Sequence, residues 1–244
     1  MDIRVGLCGI GMAREKYYRL FPVTEVQQTF YQPPRLATLE RWRAEAPASF
    51  EFTLKAWQLI THTHNPRTYR RLKDPIPKSR RKRYGRFQMT DEVMKAWRVT
   101  LECTRALEAR ILIFQCPASF TPTDDNVDNL RKFFDAIRPE TKGLTLGWEP
   151  RGSWPRDLIR SLVKSLGLQY VVDPFRNEPL PGRLRYFRLH GKTSYFDKYT
   201  AADLRALRSM CRGNTYVMFN NVPMVEDSRR FLSLLKREKR DARA

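Results

Sequence analysis

The sequence predicts an α/β protein with a TIM-barrel-like (β/α)8 fold. Three observations lead to this prediction. Short β-type runs alternate with helix-like segments, as in proteins built on a parallel sheet. Eight such runs fit into 244 residues, which favours a closed barrel over an open sheet. Polar residues stand at the end of most runs, at the edge where a barrel carries its active site.

The predicted strands are short runs rich in apolar, β-branched and aromatic residues. In chain order they are Ile3–Cys8, Glu25–Phe30, Phe50–Lys55, Ile111–Cys116, Leu144–Glu149, Tyr170–Asp173, Arg185–His190 and Tyr216–Asn221. The predicted helices between them are Leu36–Ala46, Asp91–Glu108, Asp125–Ile137, Pro155–Leu166, Ala201–Cys211 and Asp227–Lys239. Thr90 and Thr123 stand at or next to the expected N-cap positions of two of these helices.

Two connections depart from a regular barrel. A long basic insertion, residues 58–89, follows the third strand. The connection from Asp173 to Arg185 is too short and too rich in Pro and Gly for a helix between strands six and seven. No repeat or low-complexity linker interrupts the chain, so we expect one domain over residues 1–244 that ends in a basic tail, residues 236–244.

The charge of the chain is strongly positive, with 46 Lys and Arg against 26 Asp and Glu. The stretch from Arg67 to Arg86 holds ten basic residues and a single acid, Asp74. A solvated basic surface is the alternative, but this concentration favours a polyanionic partner, RNA or DNA. Tyr69 and Tyr84 lie within the stretch and could stack on bases. The residues expected to bind nucleic acid are Arg67, Arg70, Arg71, Lys78, Arg80, Arg81, Lys82, Arg83 and Arg86.

Several classes of protein are disfavoured by what the sequence lacks. No apolar run reaches the length of a membrane span, and the N-terminus lacks the pattern of a signal peptide, so we expect a cytoplasmic protein without a membrane partner. The cysteines are scattered without a CxxC pair, which excludes a zinc ribbon or finger. Buried free thiols are expected, with a metal or cluster site that uses Cys8 and Cys116 as the alternative. No nucleotide-cofactor motif is present, and the sequence identifies neither a cofactor nor a protein partner.

Polar residues at the strand ends predict a pocket at one rim of the barrel. Burying such groups is costly unless they are paired or used, so a purely structural barrel would not need them. His190, which precedes Gly191, is the strongest functional candidate, whereas Glu25 could instead pair with a surface Arg and Lys55 could extend to solvent. His62 and His64 are expected on an exposed loop. The rim residues are Glu25, Gln27, Lys55, Gln115, Glu149, Arg151, Asp173, Arg188, His190, Asn220 and Asn221.

Several segments resemble successive motifs of the YecE-like proteins, the family of domain of unknown function 72. They include EVQQTFYQPP, FEFTLKA, WEPRGSW, YFRLHG and YVMFNN, and the resemblance runs in order from Val5 to about Asp227. It implies a TIM-barrel-like fold and no established reaction. Gln27 stands in place of the family's usual Asn and Cys116 in place of Leu, and the opening glycine-rich segment is shortened. The polar positions that the family shares correspond, by this resemblance, to the following residues of this chain: Glu25, Thr29, Tyr31, Lys55, Gln115, Glu149, Arg151, Trp154, Asp173, Arg188, His190, Gly191, Tyr195, Tyr199, Asn220 and Asn221.

Three functions remain open at this point. The first is an enzyme that acts on a phosphate-containing substrate, either by acid–base chemistry or through a divalent metal. Its catalytic candidates are His190, Glu149, Asp173 and Glu25, and its substrate-binding candidates are Lys55, Gln115, Arg151, Arg188, Tyr195, Asn220 and Asn221. The second is a non-catalytic protein that binds RNA or DNA through the insertion. The third is a small-molecule enzyme, for example on a sugar phosphate, whose charge is incidental.

Overall fold

A computed structural model describes residues 2–64 and 66–242. Its eight parallel strands close into a barrel in chain order, which confirms the predicted (β/α)8 fold. The strands are β1 (Asp2–Cys8), β2 (Val23–Val26), β3 (Glu51–Lys55), β4 (Ile111–Gln115), β5 (Thr145–Glu149), β6 (Gln169–Val172), β7 (Leu184–Leu189) and β8 (Asn214–Phe219).

Helices follow most of the strands. They are α1 (Arg14–Leu20), α2 (Gln28–Tyr31), α3 (Leu36–Glu45), α4 (Gln58–Thr61), α5 (Pro66–Tyr69), α6 (Asp91–Ala106), α7 (Asp124–Ile137), α8 (Arg156–Leu166), α9 (Ala201–Met210) and α10 (Met224–Asp241). Short 3₁₀ segments cover Lys78–Arg83 and Arg138–Glu140. As expected, no helix lies between β6 and β7, where every residue is described. None of the described helices is long and apolar enough to cross a membrane.

Threonine caps define three helix starts, because each side chain accepts a hydrogen bond from a backbone N–H of the first turn. Thr90 caps α6 and Thr123 caps α7, as the sequence indicates. At α9, Thr200 and Asp203 form a reciprocal capping box. These caps determine where the chain leaves each loop and enters a helix.

The chain divides into two compact units. The first contains the residues up to Glu25 and those from Tyr170 onward, and the second contains Val26–Gln169. In the first unit β1 pairs with β2 and β8, and β7 pairs with β6 and β8. In the second unit β4 pairs with β3 and β5, and its last residue, Gln115, pairs in register with Glu149.

The basic insertion is attached to the second unit through its two ends. The backbone N–H of Gly85 donates to the carbonyl of Leu59, and that of Phe87 donates to Ile60, both at 2.9 Å. Gly85 has a φ of +82°, and a Cβ there would lie 2.3 Å from the carbonyl of His62, so only glycine fits this return of the chain. The Phe87 ring then packs into the core, with centroids 5.3 to 6.1 Å from four rings. These four rings belong to Phe114, Phe120, Phe133 and Phe134.

Two elements near the N-terminus differ from the sequence prediction. The second strand is Val23–Val26 rather than Glu25–Phe30, and the chain turns into α2 straight afterwards. The Thr29 hydroxyl holds this turn by donating to the carbonyl of Lys55 at 2.7 Å. Helix α1 was not predicted, because Tyr17 is its single buried residue and leaves no apolar stripe to recognise.

The remaining differences from the predicted elements are small, except near the C-terminus. Most boundaries move by one or two residues, whereas α10 begins at Met224, three residues before the predicted Asp227. It continues to Asp241, so the described part of the basic tail is mostly helical. Residue 65 of the insertion and residues 243 and 244 of the tail lie outside the described residues.

Candidate functional site

The predicted rim residues fall into two groups, one in each compact unit. In the first unit, Glu25 and Arg188 form a fully buried ion pair. Arg188 Nη2 lies 2.9 Å from Glu25 Oε1, and its Nε is 3.1 Å from both carboxylate oxygens. The Tyr186 hydroxyl donates to Glu25 Oε2 at 2.9 Å. Glu25 is 0% exposed and Arg188 is 1% exposed. The carboxylate is therefore enclosed by partners, and its arginine is the buried Arg188 rather than the surface arginine considered from the sequence.

Asp173 and His190 form the second pair of this unit. One carboxylate oxygen, Asp173 Oδ2, accepts from the backbone N–H of His190 at 3.0 Å and lies 3.3 Å from its ring Nδ1. This contact orients the imidazole and favours a proton on Nδ1, which leaves Nε2 as the basic nitrogen. Arg176, which sequence reasoning missed, has its Nε 3.7 Å from the same oxygen. The arrangement is that of a histidine oriented by a carboxylate, as in acid–base catalysis.

The loop after His190 is held rigidly. Gly191 has a φ of +79°, and a Cβ there would lie 1.9 Å from the Ser194 carbonyl oxygen. The Asp197 carboxylate accepts from the backbone N–H groups of Thr193 and Ser194 and from both hydroxyls. These hydrogen bonds hold the pKa of Asp197 far below its usual range. The loop presents Tyr195, which is exposed and whose ring meets the His190 ring edge-on at 5.6 Å.

Asn221 is buried and uses its amide nitrogen within the site, while its buried Oδ1 makes no hydrogen bond to a described residue. Its Nδ2 donates to Asp227 Oδ2 at 2.7 Å and to the carbonyl of Asp197 at 2.9 Å. Asp227, also missed from the sequence, is fully buried and accepts from the backbone N–H of Tyr199 at 3.2 Å. Asn220 is half-buried, and its backbone N–H donates to Leu189 at 2.8 Å.

In the second unit, Glu149 and Arg151 form an ion pair across the intervening proline. Arg151 Nε lies 2.8 Å from Glu149 Oε1, and the Arg151 side chain is 32% exposed while the carboxylate is buried. Gln115 donates its Nε2 to the carbonyl of Cys116 at 2.6 Å. Its amide oxygen is the part of the side chain suited to a substrate donor.

Lys55 and His62 complete this second group. Lys55 is buried, and its Nζ lies 3.5 Å from the centroid of the Phe30 ring, a cation–π contact. The expectation of an exposed His62 is wrong. The side chain is buried, packs edge-on against Phe30 at 5.0 Å and has its Nδ1 2.8 Å from the Thr61 hydroxyl. The HxH pattern gave no indication of this burial, because the preceding helix, α4, is only four residues long and contains just two apolar residues, Leu59 and Ile60.

His62 predicts a specific pH dependence of stability. Burial, and then the charges of Lys55 and Arg151, lower its pKa from 6.5 to about 3, while Glu149 acts in the opposite sense. Below pH 6.5 the His62 imidazole binds a proton in the unfolded chain but stays neutral in the folded chain. The free energy of unfolding therefore falls as the pH drops towards 3. Between pH 7.5 and 4.5 we expect the wild type to lose about 2–3 kcal/mol more than His62→Gln in urea unfolding. Equal losses would show that His62 does not titrate in this way.

The basic insertion exposes most of its cations. Of the nine predicted nucleic-acid-binding residues, Arg81 is half-buried and the other eight are exposed. Arg80 and Arg83 are ion-paired to Glu92, at 3.6 and 2.8 Å, and Arg71 lies 4.2 Å from the centroid of the Tyr31 ring. Arg70, Lys78, Lys82 and Arg86 are exposed, and among the described residues neither a carboxylate within ion-pair distance nor a cation–π ring lies against them.

The prediction that Tyr69 of the insertion stacks on bases is wrong. Tyr69 is 5% exposed, with its hydroxyl donating to the carbonyl of His62 at 2.7 Å and its ring 5.1 Å from that of His64. It is an anchor for the insertion and is not available to a base. Tyr84 is half-buried and keeps part of its ring accessible.

The described residues offer no ready-made metal site. No group of three or more His, Cys, Asp or Glu side chains in residues 2–64 and 66–242 could hold a metal ion. The ligand set of Glu25, Glu149, Asp173 and His190 considered from the sequence is therefore not assembled there. The four cysteines are free and buried, and burial raises the pKa of the Cys116 thiol, so it stays protonated.

Comparisons with known proteins agree with this fold. The family model for the protein of unknown function DUF72 matches residues 13–244. A DUF72 family protein from Enterococcus faecalis is similar in structure, with a TM-score of 0.71, 18% identity, and 96% of this chain and 98% of that chain covered. A DUF72 family protein from Thermotoga maritima has a TM-score of 0.67 at 19% identity, covering 97% of this chain and 100% of that one.

A more distant similarity extends beyond the family. A xylose isomerase domain containing protein from Salmonella typhimurium has a TM-score of 0.61 at 14% identity, with 95% of this chain and 97% of that chain covered. At this identity the likeness establishes the TIM-barrel fold alone. The search of curated proteins found no match. On the family match, the chain belongs to the DUF72 family, whose function is unknown.

Proposed function

We propose that this DUF72 family protein binds RNA or DNA through its basic insertion, and that Asp173 and His190 provide phosphate-directed chemistry. The observation that carries the first part is the exposure of eight cations on one anchored segment of the second unit. Lysine and arginine side chains that neutralise phosphates release condensed counterions, and this release drives binding without sequence preference.

The insertion suits this role because its backbone is fixed while its cations remain exposed. Phe87 and Tyr69 anchor it in the interior, so binding a polymer would not require the whole segment to become ordered. Arg70, Lys78, Lys82 and Arg86 are the residues we expect to contact phosphates first. Arg80 and Arg83 would have to leave Glu92 to do the same.

Titration of fluorescent single-stranded RNA and DNA at two salt concentrations tests this proposal. The protein should be freed of nucleic acid at high salt beforehand. We expect binding that weakens steeply with salt, with a slope of log affinity against log salt of roughly −3 for four phosphate contacts on a single strand. Failure to bind either polymer at low salt would refute the proposal.

Asp173 and His190 support a hydrolytic reaction at a phosphate in the first unit. Water would add across a P–O bond, with His190 taking the proton of the attacking water or giving one to the leaving oxygen. Asp173 would keep the imidazole oriented. Glu25 and Glu149 are each satisfied by an arginine, so we assign them to positioning rather than to proton transfer.

His190→Ala is expected to separate chemistry from binding. It should lower turnover of bound RNA or DNA by about 10²–10⁴-fold, because the proton-transfer group is lost. Affinity should stay within about twofold, because the insertion supplies the phosphate contacts. The measurement is product formation on a gel beside the binding titration. Wild-type binding without any product would support the non-catalytic alternative, and unchanged turnover in His190→Ala would contradict the assignment.

A small-molecule reaction, for example on a sugar phosphate, remains the second candidate, because several structural neighbours are xylose isomerase-like barrels. It predicts that neutralising the insertion leaves activity intact. We also propose a cytoplasmic location, since four free buried thiols suit a reducing compartment.

A further inference from the structure

A cavity of about 540 Å³ lies beneath the basic insertion, within the second unit. Its volume falls in the range of small-molecule sites. The insertion contributes Leu72, Ile76 and Tyr84 to its wall, and α6 contributes Glu92 and Val99. Trp57, which precedes α4, also lines it. Half of the lining residues are apolar or aromatic, and the other half are polar or charged: Gln32, Asp74, Arg80, Arg83, Asp91, Glu92 and Lys95.

Two of these polar groups lack hydrogen-bond partners. The Trp57 Nε1 donor and the Glu92 Oε1 acceptor are buried, and neither makes a hydrogen bond to any described residue. Native proteins leave few such groups, and a ligand is one explanation for those that occur. Of the six buried side-chain atoms in this condition among the described residues, four lie at or beside the insertion. They belong to Trp57, Gln58, Thr68 and Glu92.

The Glu92 carboxylate could exchange one of its two arginine partners for a ligand. Its Oε2 accepts from Arg83 Nε at 2.8 Å, whereas its Oε1 lies 3.6 Å from Arg80 Nε and makes no hydrogen bond there. The Arg80 side chain is 62% exposed, so it can swing towards solvent. Burial would raise the pKa of Glu92, but its own backbone N–H, Arg83 and Arg80 together hold the pKa below its ordinary value. The carboxylate is therefore a charged acceptor that a ligand N–H could satisfy.

A nucleobase matches these groups. It is planar and suits a site between aromatic and apolar walls, and its edge carries both donors and acceptors. An exocyclic amino group, present on adenine, cytosine and guanine and absent from uracil, would donate to Glu92. A ring nitrogen or carbonyl would accept from Trp57 Nε1. Arg80, released from Glu92, would then be close to the phosphate that follows the base.

We infer that this cavity receives one nucleobase bearing an exocyclic amino group, taken from the strand that the insertion binds. The inference rests on the proposed nucleic-acid binding and specifies its substrate. The same base chemistry could come from a free nucleotide, so the test includes both sources.

The test compares the wild type with Trp57→Phe and Glu92→Gln. Trp57→Phe keeps an aromatic ring and removes only the donor. The probes are short single-stranded oligo(A), oligo(C) and oligo(U), together with AMP, CMP and UMP. For the wild type we expect oligo(A) and oligo(C) to bind about fivefold or more tightly than oligo(U). Each variant should reduce this ratio towards one, and Trp57→Phe, which changes no charge, should leave the salt dependence unchanged.

Lys95→Gln is the matched control, because Lys95 lines the same cavity but is exposed and carries neither unsatisfied atom. It should keep the base preference. Strand binding without base preference, or a preference that survives in both Trp57→Phe and Glu92→Gln, would overturn this inference and leave the proposed function standing. Preferential binding of AMP and CMP without any strand binding would support the cavity as a nucleotide site and refute the proposed function. No binding of any probe would refute both.

Discussion

Arg188→Met is expected to lower the free energy of unfolding by about 3–5 kcal/mol, because it leaves a buried carboxylate without its counter-charge. Glu25 is 0% exposed, and the Tyr186 hydroxyl that donates to it carries no charge to replace the guanidinium. Methionine has an unbranched apolar side chain of comparable length, so the cavity term stays small. Equilibrium unfolding in urea, followed by tryptophan fluorescence, measures the loss.

The double variant Glu25→Leu/Arg188→Met is the control for this prediction. Removing both charges removes the unpaired carboxylate, so the double variant should recover most of the stability lost by the single one. If Arg188→Met were as stable as the wild type, the pair would not be the buried ion pair described above. If the double variant were no more stable than the single one, lost packing rather than the stranded charge would be the cause.

Neutralising four exposed cations of the insertion that have no ion-pair or cation–π contact should lower affinity for single-stranded RNA or DNA by about one to three orders of magnitude at low salt. The variant is Arg70→Gln/Lys78→Gln/Lys82→Gln/Arg86→Gln. The four side chains are exposed, so the fold should tolerate the change. The salt slope should fall by roughly three units on a single strand, because each lost phosphate contact removes about 0.7.

The matched control removes the same charge elsewhere in the second unit. Arg98, Arg131, Lys142 and Lys164 are also exposed, and their replacement by Gln leaves the insertion intact. The control variant should bind within a fewfold of the wild type. If both variants lost affinity equally, net charge rather than the insertion would drive binding.

The fold was predictable from the sequence because short β-type runs alternate with helical segments, and some of these runs are nearly continuous in apolar residues. Ile111–Gln115 is buried at every position, as expected for a strand inside a parallel barrel. The sequence also indicated that Asp173 and His190 lie close together, since both were expected at the ends of neighbouring strands. The second strand was misplaced because EVQQTF contains the β-favouring residues Val26, Thr29 and Phe30, although its last four residues belong to α2 or its cap.

The details of the sites depend on contacts that the sequence does not encode locally. Arg188 and Glu25 are 163 residues apart, so the sequence could suggest an arginine partner for Glu25 without identifying which one. Arg176 and Asp227 lie in segments without a strand-end signal, and they reach Asp173 and Asn221 only once the chain is folded. The burial of His62 and Tyr69 likewise depends on the way the insertion folds back onto α4.

Ultraviolet crosslinking of bound single-stranded RNA or DNA, followed by mass spectrometry of the crosslinked peptides, tests the central claim most directly. We predict that the crosslinked peptides come from residues 58–89, with Tyr84 among the modified positions. Crosslinks confined to other parts of the chain, such as the basic tail after residue 236, would contradict the assignment of the insertion as the nucleic-acid-binding surface.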